Sequence, residues 1–332
     1  MKEALFWRPL KDSAVQCLLC PKVCRIEEGE RGDCGARANQ NAYLVPLSYG
    51  RITSAAVDPI EKKPLYHFHP AQEILSIGSF GCSFHCLFCQ NYGISQGQPP
   101  TQTATPADIV NLAKRYRSFG IAYTYNEPLM WFEFVFETAK AACDAGIKNV
   151  LVTNGFINRK PLRQLLPFIH AANVDIKSIN DDFYRRLCDG RLAPVLRNCV
   201  LMRQAGVHLE VTNLVIPGEN DRDSDFCALR DWIVSELGED VPVHLSAYFP
   251  HYRFNAPPTP YETLKRAYDI MREKLRFVYL GNVWGQTEGH DTHCYRCGAL
   301  LVSRRGYATS IHGLTDDGRC RNCGAFNNFV MK

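Results

Sequence analysis

Three closely spaced cysteines are the residues of this sequence whose spacing most directly suggests chemistry. Cys82, Cys86 and Cys89 lie in the stretch GCSFHCLFCQN over residues 81–91. Three thiolates can ligate three irons of a [4Fe–4S] cluster, whereas a cluster that only carries electrons usually has four cysteine ligands. The fourth iron then keeps an open coordination position, where a small molecule can bind and react. The spacing therefore predicts a reactive iron–sulfur centre.

A set of four cysteines precedes this triad. It has the spacing Cys-x2-Cys-x3-Cys-x9-Cys and consists of Cys17, Cys20, Cys24 and Cys34. Four ligands make a closed site, for which zinc and an auxiliary [4Fe–4S] cluster both have suitable chemistry. The spacing does not separate the two, and both are retained with a slight preference for zinc.

A second set of four follows the triad as two Cys-x2-Cys pairs, Cys294 with Cys297 and Cys320 with Cys323. A glycine follows each pair, and the pattern is typical of a zinc ribbon that clamps one tetrahedral ion. We expect a structural zinc there. A second iron–sulfur site and a docking or nucleic-acid module, the latter suggested by five nearby arginines, are the alternatives.

The composition is that of a globular protein with a large core. The chain has 332 residues, is 46% hydrophobic and carries a formal net charge of +4. Such a slight charge does not call for a nucleic-acid or membrane partner. The first residues lack the apolar run of a signal peptide, and no apolar stretch is long enough to span a bilayer. We expect a cytoplasmic protein, in which clustered cysteines bind metal rather than form disulfides.

Between residues 73 and 283 short apolar runs alternate with amphipathic segments, which is the pattern of repeated βα units. The predicted strands are 74–79, 121–125, 149–153, 173–176, 208–216 and 243–249, with 277–280 as a possible extra strand. The predicted helices are 106–119, 129–144, 194–205, 224–237 and 261–275. Six such units predict an α/β fold, a partial (β/α)6 TIM-like barrel. The predicted domains are an amino-terminal four-cysteine segment (1–72), the barrel (73–285) and a zinc-ribbon-like module (286–332).

In a barrel of this type the chemistry lies at the carboxyl ends of the strands. The triad loop follows the first predicted strand directly. Polar groups stand at the ends of the later strands or on them: Asn126, Glu127, Asn154, Asp175, Lys177 and His244. One polar residue at a strand end is more often a turn or a helix cap than a ligand contact. Several in register with the cysteine loop favour a binding site.

These motifs resemble those of the radical S-adenosylmethionine (SAM) enzymes. The closer resemblance is to the AmmeMemoRadiSam-system proteins, which are similar to the pyruvate formate-lyase (glycyl radical enzyme) activating enzymes in the barrel. It covers nearly the whole chain and includes CLLCPKVC over 17–24, GDC over 32–34, PIEKKPLYHF over 59–68, the triad loop and the two carboxyl-terminal cysteine pairs.

The resemblance implies roles for individual residues. The triad would ligate the [4Fe–4S] cluster, and Phe88 would contact the adenine of SAM. Residues 126–128 stand where activating enzymes have Gly-Gly-Glu-Pro, so Glu127 would bind the SAM ammonium, although the glycines are missing. Residues 175–177 match an Asp-Leu-Lys motif, which makes Lys177 a candidate for the SAM carboxylate. Asn154 and His244 would approach the ribose or the adenine.

The implied activity is one-electron reductive cleavage of SAM to methionine and a 5′-deoxyadenosyl radical, which abstracts hydrogen from a substrate. It is oxidoreductase or lyase chemistry and needs an electron donor such as flavodoxin or ferredoxin. The substrate would be a glycine of a partner protein or another unactivated C–H bond. One alternative is an RNA-modifying radical SAM enzyme, for which the charge of +4 is too small. The other is a non-catalytic electron-transfer or scaffold protein, which would need a fourth ligand on the central cluster.

Overall fold

The computed structural model describes residues 2–283 and 288–332. The chain begins with six short strands: β1 Trp7–Pro9, β2 Val15–Cys17, β3 Arg25–Ile26, β4 Arg37–Gln40, β5 Tyr43–Pro46 and β6 Arg51–Ile52. Strands β1 to β3 form an antiparallel sheet, and β4 and β5 form a hairpin. A buried ion pair between Arg37 and Glu133 attaches this segment to the rest of the protein. The Glu133 carboxylate also accepts the main-chain N–H of Leu5 over 2.7 Å.

An eight-stranded sheet forms the centre of the fold. The next nine strands are β7 Ser54–Pro59, β8 Glu73–Gly78, β9 Gln102–Thr103, β10 Gly120–Tyr123, β11 Lys148–Thr153, β12 Ala171–Asp175, β13 His208–Val215, β14 Val243–Ala247 and β15 Val278–Gly281. The sheet order is β15-β14-β13-β12-β11-β10-β8-β7, in which β7 alone is antiparallel to its neighbour, and β9 pairs with β6 outside the sheet. The predicted α/β fold with a central parallel sheet is confirmed, and the possible extra strand is β15.

Helices connect the parallel strands. They are α1 Tyr92–Ser95, α2 Pro106–Arg115, α3 Phe132–Asp144, α4 Arg159–Leu165, α5 Asp181–Phe183, α6 Leu192–Gln204, α7 Asp223–Glu236 and α8 Tyr261–Arg272. The start of α2 follows its sequence signals: Thr105 caps it in a capping box with Asp108, and Pro106 opens the first turn. No helix within 2–283 or 288–332 is long and apolar enough to cross a membrane.

Several element ends differ from the sequence prediction. Helix α2 ends at Arg115 rather than at 119, because the chain takes a left-handed turn at Arg117 (φ 52°). The predicted helix 129–144 is divided into a 3-10 turn, Pro128–Trp131, and α3. Helix α4 was not predicted, since Pro161 interrupts its short apolar pattern, yet a proline is tolerated in the first turn of a helix.

The amino-terminal ends of the parallel strands surround a buried cluster of polar side chains. Glu210 of β13 bonds to His208 (3.0 Å) and to His244 of β14 (2.7 Å). It also accepts the main-chain N–H groups of Tyr66 and His67 at 3.0 and 2.8 Å. The segment after β7 therefore closes this end of the sheet. Its contacts with Glu210 give a structural reason for the Tyr66-His67 part of the 59–68 stretch.

The carboxyl-terminal residues form a small antiparallel sheet of β16 Thr292–His293, β17 Leu300–Arg305 and β18 Ala308–Ile311. It packs onto the same closed end of the main sheet. Arg304 lies over the Tyr66 ring, 4.1 Å from its centroid, and donates to the Tyr66 carbonyl at 2.8 Å. His67 stacks on Phe329 with 4.0 Å between ring centroids. The predicted domain boundary at 285/286 lies outside the described residues.

Candidate metal centre and cofactor site

The carboxyl ends of the parallel strands open into a cavity of about 450 Å³. Its wall includes nine residues singled out from the sequence: Cys82, Cys86, Phe88, Cys89, Asn126, Glu127, Asn154, Asp175 and Lys177. They come from the loops after β8, β10 and β11, from the last residue of β12 and from the loop that follows it. Parallel strands end at one edge of a sheet, so residues far apart in sequence converge there.

The three cysteines of the central triad line this cavity. Among the residues that the structure describes, the triad does not form a group whose sulfurs lie within 4.8 Å of one another. Four thiolates around one tetrahedral ion would be about 3.8 Å apart, given metal–sulfur bonds of about 2.3 Å. The triad therefore does not converge on a single ion, which agrees with a cluster in which each thiolate binds a different iron.

Hydrogen bonds hold the triad loop in place. The Asn126 side chain donates to the carbonyls of Phe80 and Gly81, each at 3.1 Å, and accepts the N–H of Ser79 at 2.9 Å. The N–H of Cys82 donates to the carbonyl of Cys34 at 3.2 Å. The Asn126 side chain thus holds the start of the triad loop, and the amino-terminal segment holds the loop at Cys82.

The sulfur atoms receive polar contacts of their own. The amide of Asn154 lies 3.6 Å from the sulfur of Cys82, and the Ser95 hydroxyl lies 3.2 Å from that of Cys89. The Cys188 thiol lies next to Cys86 and lowers the pKa of that cysteine. Contacts of this kind set the reduction potential of an iron–sulfur cluster.

Cys188 was not recognised from the sequence, where it looked like an ordinary buried cysteine. It belongs to a π-helical turn, Tyr184–Cys188, whose carbonyls of Leu187 and Cys188 accept the N–H groups of Leu87 and His85 at 2.9 Å each. It is fully buried and is not among the residues that line the cavity. No sequence signal links it to the triad, since about 100 residues separate them.

Glu127 is the buried carboxylate of the cavity, with 3% of its surface exposed. It accepts the Thr153 hydroxyl at 2.6 Å and the N–H groups of Leu129 at 3.0 Å and Asn154 at 2.8 Å. Burial raises its pKa to about 7, and these hydrogen bonds oppose the increase. A carboxylate can accept about four hydrogen bonds, so one position remains for a cationic ligand.

Lys177 and Phe88 form the opposite side of the cavity. The Lys177 ammonium lies 3.2 Å from the Asp175 carboxylate and 6.0 Å from the centroid of the Phe88 ring. Burial alone would lower the pKa of Lys177, but Asp175 and nearby thiols raise it well above its usual value. The lysine therefore stays charged and presents a cation to an anionic group.

Of the remaining sequence-based assignments, the one for His244 changes, whereas Asn154 lines the cavity and also has a second role. The Asn154 amide nitrogen donates to the sulfur of Cys82 and to the Ser83 hydroxyl at 3.2 Å, and its oxygen accepts the N–H of Phe156 at 2.8 Å. Asn154 therefore supports the triad loop. His244 does not line the cavity and instead bonds to Glu210 at 2.7 Å. Side chains two residues apart on a strand share a face, and Ser246 is the residue of β14 that reaches the cavity.

Part of the cavity wall is formed by Lys62, Lys63 and Tyr125, which are held together by a carboxylate that does not itself line the cavity. Asp58 of β7 pairs with Lys62 at 2.8 Å and Lys63 at 2.7 Å, and accepts the Tyr125 hydroxyl at 2.7 Å. Tyr307, from the turn between β17 and β18, also lines this wall. Asp58 and Tyr307 are far from the triad in sequence and lack a motif.

The carboxyl-terminal cysteines form a compact group. All four sulfurs lie within 4.8 Å of one another, with Cys294–Cys323 and Cys297–Cys320 each at 3.6 Å. This spacing is close to that of four thiolates on a single tetrahedral ion. The group can therefore hold one metal ion.

Comparison with known proteins agrees with this geometry. The family profile described as the Radical SAM superfamily matches residues 76–229. This chain belongs to the radical SAM superfamily. Uncharacterized protein MJ0808 of Methanocaldococcus jannaschii is 44% identical over 337 residues and covers the whole of both chains. Pyruvate formate-lyase 1-activating enzyme of Escherichia coli K12 is 24% identical over 176 residues, which are 51% of this chain and 71% of the relative.

Two solved structures share the fold. A radical SAM methyltransferase from Sphaerobacter thermophilus has a TM-score of 0.51 and 19% identity, covering 70% of this chain and 71% of that one. SuiB of Streptococcus suis has a TM-score of 0.50 and 12% identity, covering 63% of this chain and 48% of that one. Superfamily membership and homology to activating enzymes make this radical SAM protein an enzyme, and the superfamily implies a [4Fe–4S] cluster and SAM as cofactors.

Proposed function

We propose that this enzyme binds a [4Fe–4S] cluster through Cys82, Cys86 and Cys89, and cleaves SAM reductively to start hydrogen abstraction from a substrate. The observation that carries the proposal is the convergence of this triad, Glu127 and Lys177 on one cavity. Three thiolates leave one iron free for a ligand. A buried carboxylate and a partly buried ammonium are the partners that an amino acid's own ammonium and carboxylate require.

The chain's own residues would perform three tasks for SAM. Glu127 would bind its ammonium group, and the arriving cation would favour the ionised carboxylate over the protonated form. Lys177, held by Asp175, would bind its carboxylate. Phe88 offers a buried aromatic face to the adenine. When bound, the cluster and SAM supply a 5′-deoxyadenosyl radical, and the enclosing wall limits access of water to it.

Within the superfamily we assign the chain to the AmmeMemoRadiSam-type proteins, on the cysteine sets and the 59–68 stretch. As in the activating enzymes, the substrate would be a glycine of a partner protein, with a flavodoxin- or ferredoxin-like electron donor. The Escherichia coli relative is an activating enzyme of another protein, which supports a protein substrate. The three-domain division and a structural zinc at the compact carboxyl-terminal group complete the proposal.

A turnover assay tests the proposal. Anaerobically reconstituted protein with dithionite is expected to convert SAM to 5′-deoxyadenosine, measured by liquid chromatography. The variant Cys86→Ala should form none above background, whereas the matched control Cys227→Ser, a cysteine outside all three metal sets, should keep wild-type turnover. Undiminished turnover in Cys86→Ala would contradict the assigned cluster.

A further inference from the structure

The four amino-terminal cysteines surround a second small cavity, separate from the one that holds the triad. Cys17, Cys20, Cys24 and Cys34 all line it, together with the apolar side chains of Leu19, Ile26 and Met130, and with Arg37 and Ser83. Two of the cysteines are buried, and the other two are partly exposed. The sequence left the metal at this set undecided between zinc and a cluster.

The spacing of the sulfur atoms distinguishes the two metals. Within residues 2–283 and 288–332, no three of these four cysteines have sulfurs within 4.8 Å of one another. The compact carboxyl-terminal group meets that limit with all four sulfurs, and the central triad does not. The amino-terminal set is therefore spaced too widely for one tetrahedral ion, unlike the carboxyl-terminal group. Thiolates that bind four different irons must stand farther apart than thiolates on one ion.

Arg37 places a guanidinium beside this cavity, where it suits a thiolate-bound metal group of either kind, although it also pairs with Glu133 and donates to the Leu5 carbonyl at 2.9 Å. Its side chain is 1% exposed and lines the cavity, where one guanidinium nitrogen (Nη1) lies 3.8 Å from the sulfur of Cys17. A second (Nη2) pairs with Glu133, whereas Nε has no hydrogen-bond partner. A buried donor without a partner is costly. Four thiolates around a metal group would place negative charge beside it.

The loop that carries these cysteines is attached firmly enough to keep the set in place. The Asn158 side chain donates to the carbonyls of Leu18 at 2.8 Å and Cys20 at 3.0 Å, and its main-chain N–H donates to Leu19 at 2.9 Å. Asn158 precedes α4 on the main sheet. The cysteine loop is therefore fixed to the same scaffold as the central site.

We propose that Cys17, Cys20, Cys24 and Cys34 bind a second [4Fe–4S] cluster and not zinc. Because all four irons have a cysteine ligand, this cluster does not bind SAM. It lies next to the central site, since Ser83 of the triad loop lines its cavity and Cys34 accepts a hydrogen bond from Cys82. The proposal goes beyond SAM cleavage and does not depend on it.

Metal and sulfide analysis of anaerobically purified full-length protein tests the proposal. Two clusters would give about eight irons and eight sulfides per chain, with about one zinc from the compact carboxyl-terminal group. Cys17→Ser/Cys20→Ser should lose about half of the iron and keep its zinc. The control Cys143→Ser should lose neither. Loss of zinc instead of iron in the double variant would overturn the proposal.

A second variant covers the case in which the double variant does not fold. Cys82→Ala/Cys86→Ala/Cys89→Ala removes the central site and should retain about four irons. The electron paramagnetic resonance signal of its reduced cluster should not change on addition of SAM. Retention of zinc with no iron would overturn the proposal. Wild-type protein with only the SAM-insensitive signal would contradict the proposed function and leave the second cluster in place.

Discussion

The main-chain N–H of Cys82 donates a hydrogen bond to the carbonyl oxygen of Cys34, with 3.2 Å between the two atoms. This bond joins the first cysteine of the central triad to the last cysteine of the amino-terminal set. Gly81 makes the approach possible: its φ is 88°, and a Cβ there would lie 2.6 Å from the same carbonyl. A side chain at 81 would separate the two loops.

Gly81→Ala is therefore expected to destabilise the protein and to weaken iron binding at the triad. A non-glycine residue at positive φ costs roughly 1–2 kcal/mol, and the contact with Cys34 adds to that cost. The control is Gly29→Ala, which has φ 79° but no atom within 4 Å of the added carbon. Urea unfolding and iron analysis under anaerobic conditions measure both effects. Equal losses in the two variants would contradict the role of the contact.

SAM affinity is expected to depend on pH through Glu127, whose pKa burial raises to about 7. A cationic ligand favours the ionised carboxylate, so affinity should rise as the pH increases through about 7 and level off above it. Glu127→Gln should remove this dependence and weaken binding by tenfold or more, since a hydrogen bond to a charged group is worth about 1.5–3 kcal/mol. Calorimetric titration of the reconstituted enzyme across this range measures both. An unchanged profile in the variant would exclude Glu127 as the titrating group.

Glu210→Gln should be among the most destabilising single changes at the closed end of the sheet. Burial would raise the pKa of Glu210, but His208 and His244 lower it far below its usual value. A depressed folded pKa gives stability that is present above the unfolded pKa of about 4.3 and is lost as the pH falls through and below it. Breaking a buried pair costs about 3–5 kcal/mol. Urea unfolding at pH 7 and pH 4 should show a smaller difference between wild type and variant at the lower pH.

The matched control for that experiment is Asp317→Asn, which removes an exposed ion pair with Arg319. Surface pairs contribute about 0–1 kcal/mol, so its unfolding curve should stay close to wild type. If Glu210→Gln were as stable as this control, the interactions of residue 210 with the two histidines and the two main-chain N–H groups would not depend on its charge.

Cys188→Val is expected to make the reduction potential of the central cluster more negative. The change removes the polar thiol next to the Cys86 sulfur, and fewer polar contacts to the cluster's cysteines favour the oxidised cluster. Cys199→Val, at another fully buried cysteine, is the control for packing changes. Potentiometric titration monitored by electron paramagnetic resonance gives both potentials. Equal shifts in the two variants would mean that the thiol contact has no role.

Removing the carboxyl-terminal metal should leave the iron content intact. Cys297→Ser/Cys323→Ser breaks the compact sulfur group and is expected to reduce zinc from about one per chain to near zero. The melting temperature should fall, because the module packs on Tyr66 and His67 at the closed end of the sheet. Metal analysis and a thermal scan check this, and loss of iron in place of zinc would contradict it.

The sequence was informative where local patterns decide the structure. The alternation of strands and helices predicted the parallel sheet, and the position of the triad after β8 predicted which edge would carry Glu127 and Lys177. It failed for His244, because a strand pattern gives the face of a residue but not its depth along the strand. Cys188 and Asp58 could not be predicted, since their contacts depend on how distant loops meet.

The position of Tyr307 has a consequence for which molecules can enter the central cavity. This residue belongs to the hairpin turn of the carboxyl-terminal sheet, yet it forms part of the cavity wall together with Lys62 and Lys63. This wall of the cavity is thus built from two parts of the chain that are distant in sequence. Lengthening or shortening that hairpin would change the volume of the cavity, and so the size of the molecules that it can bind, without altering the triad loop.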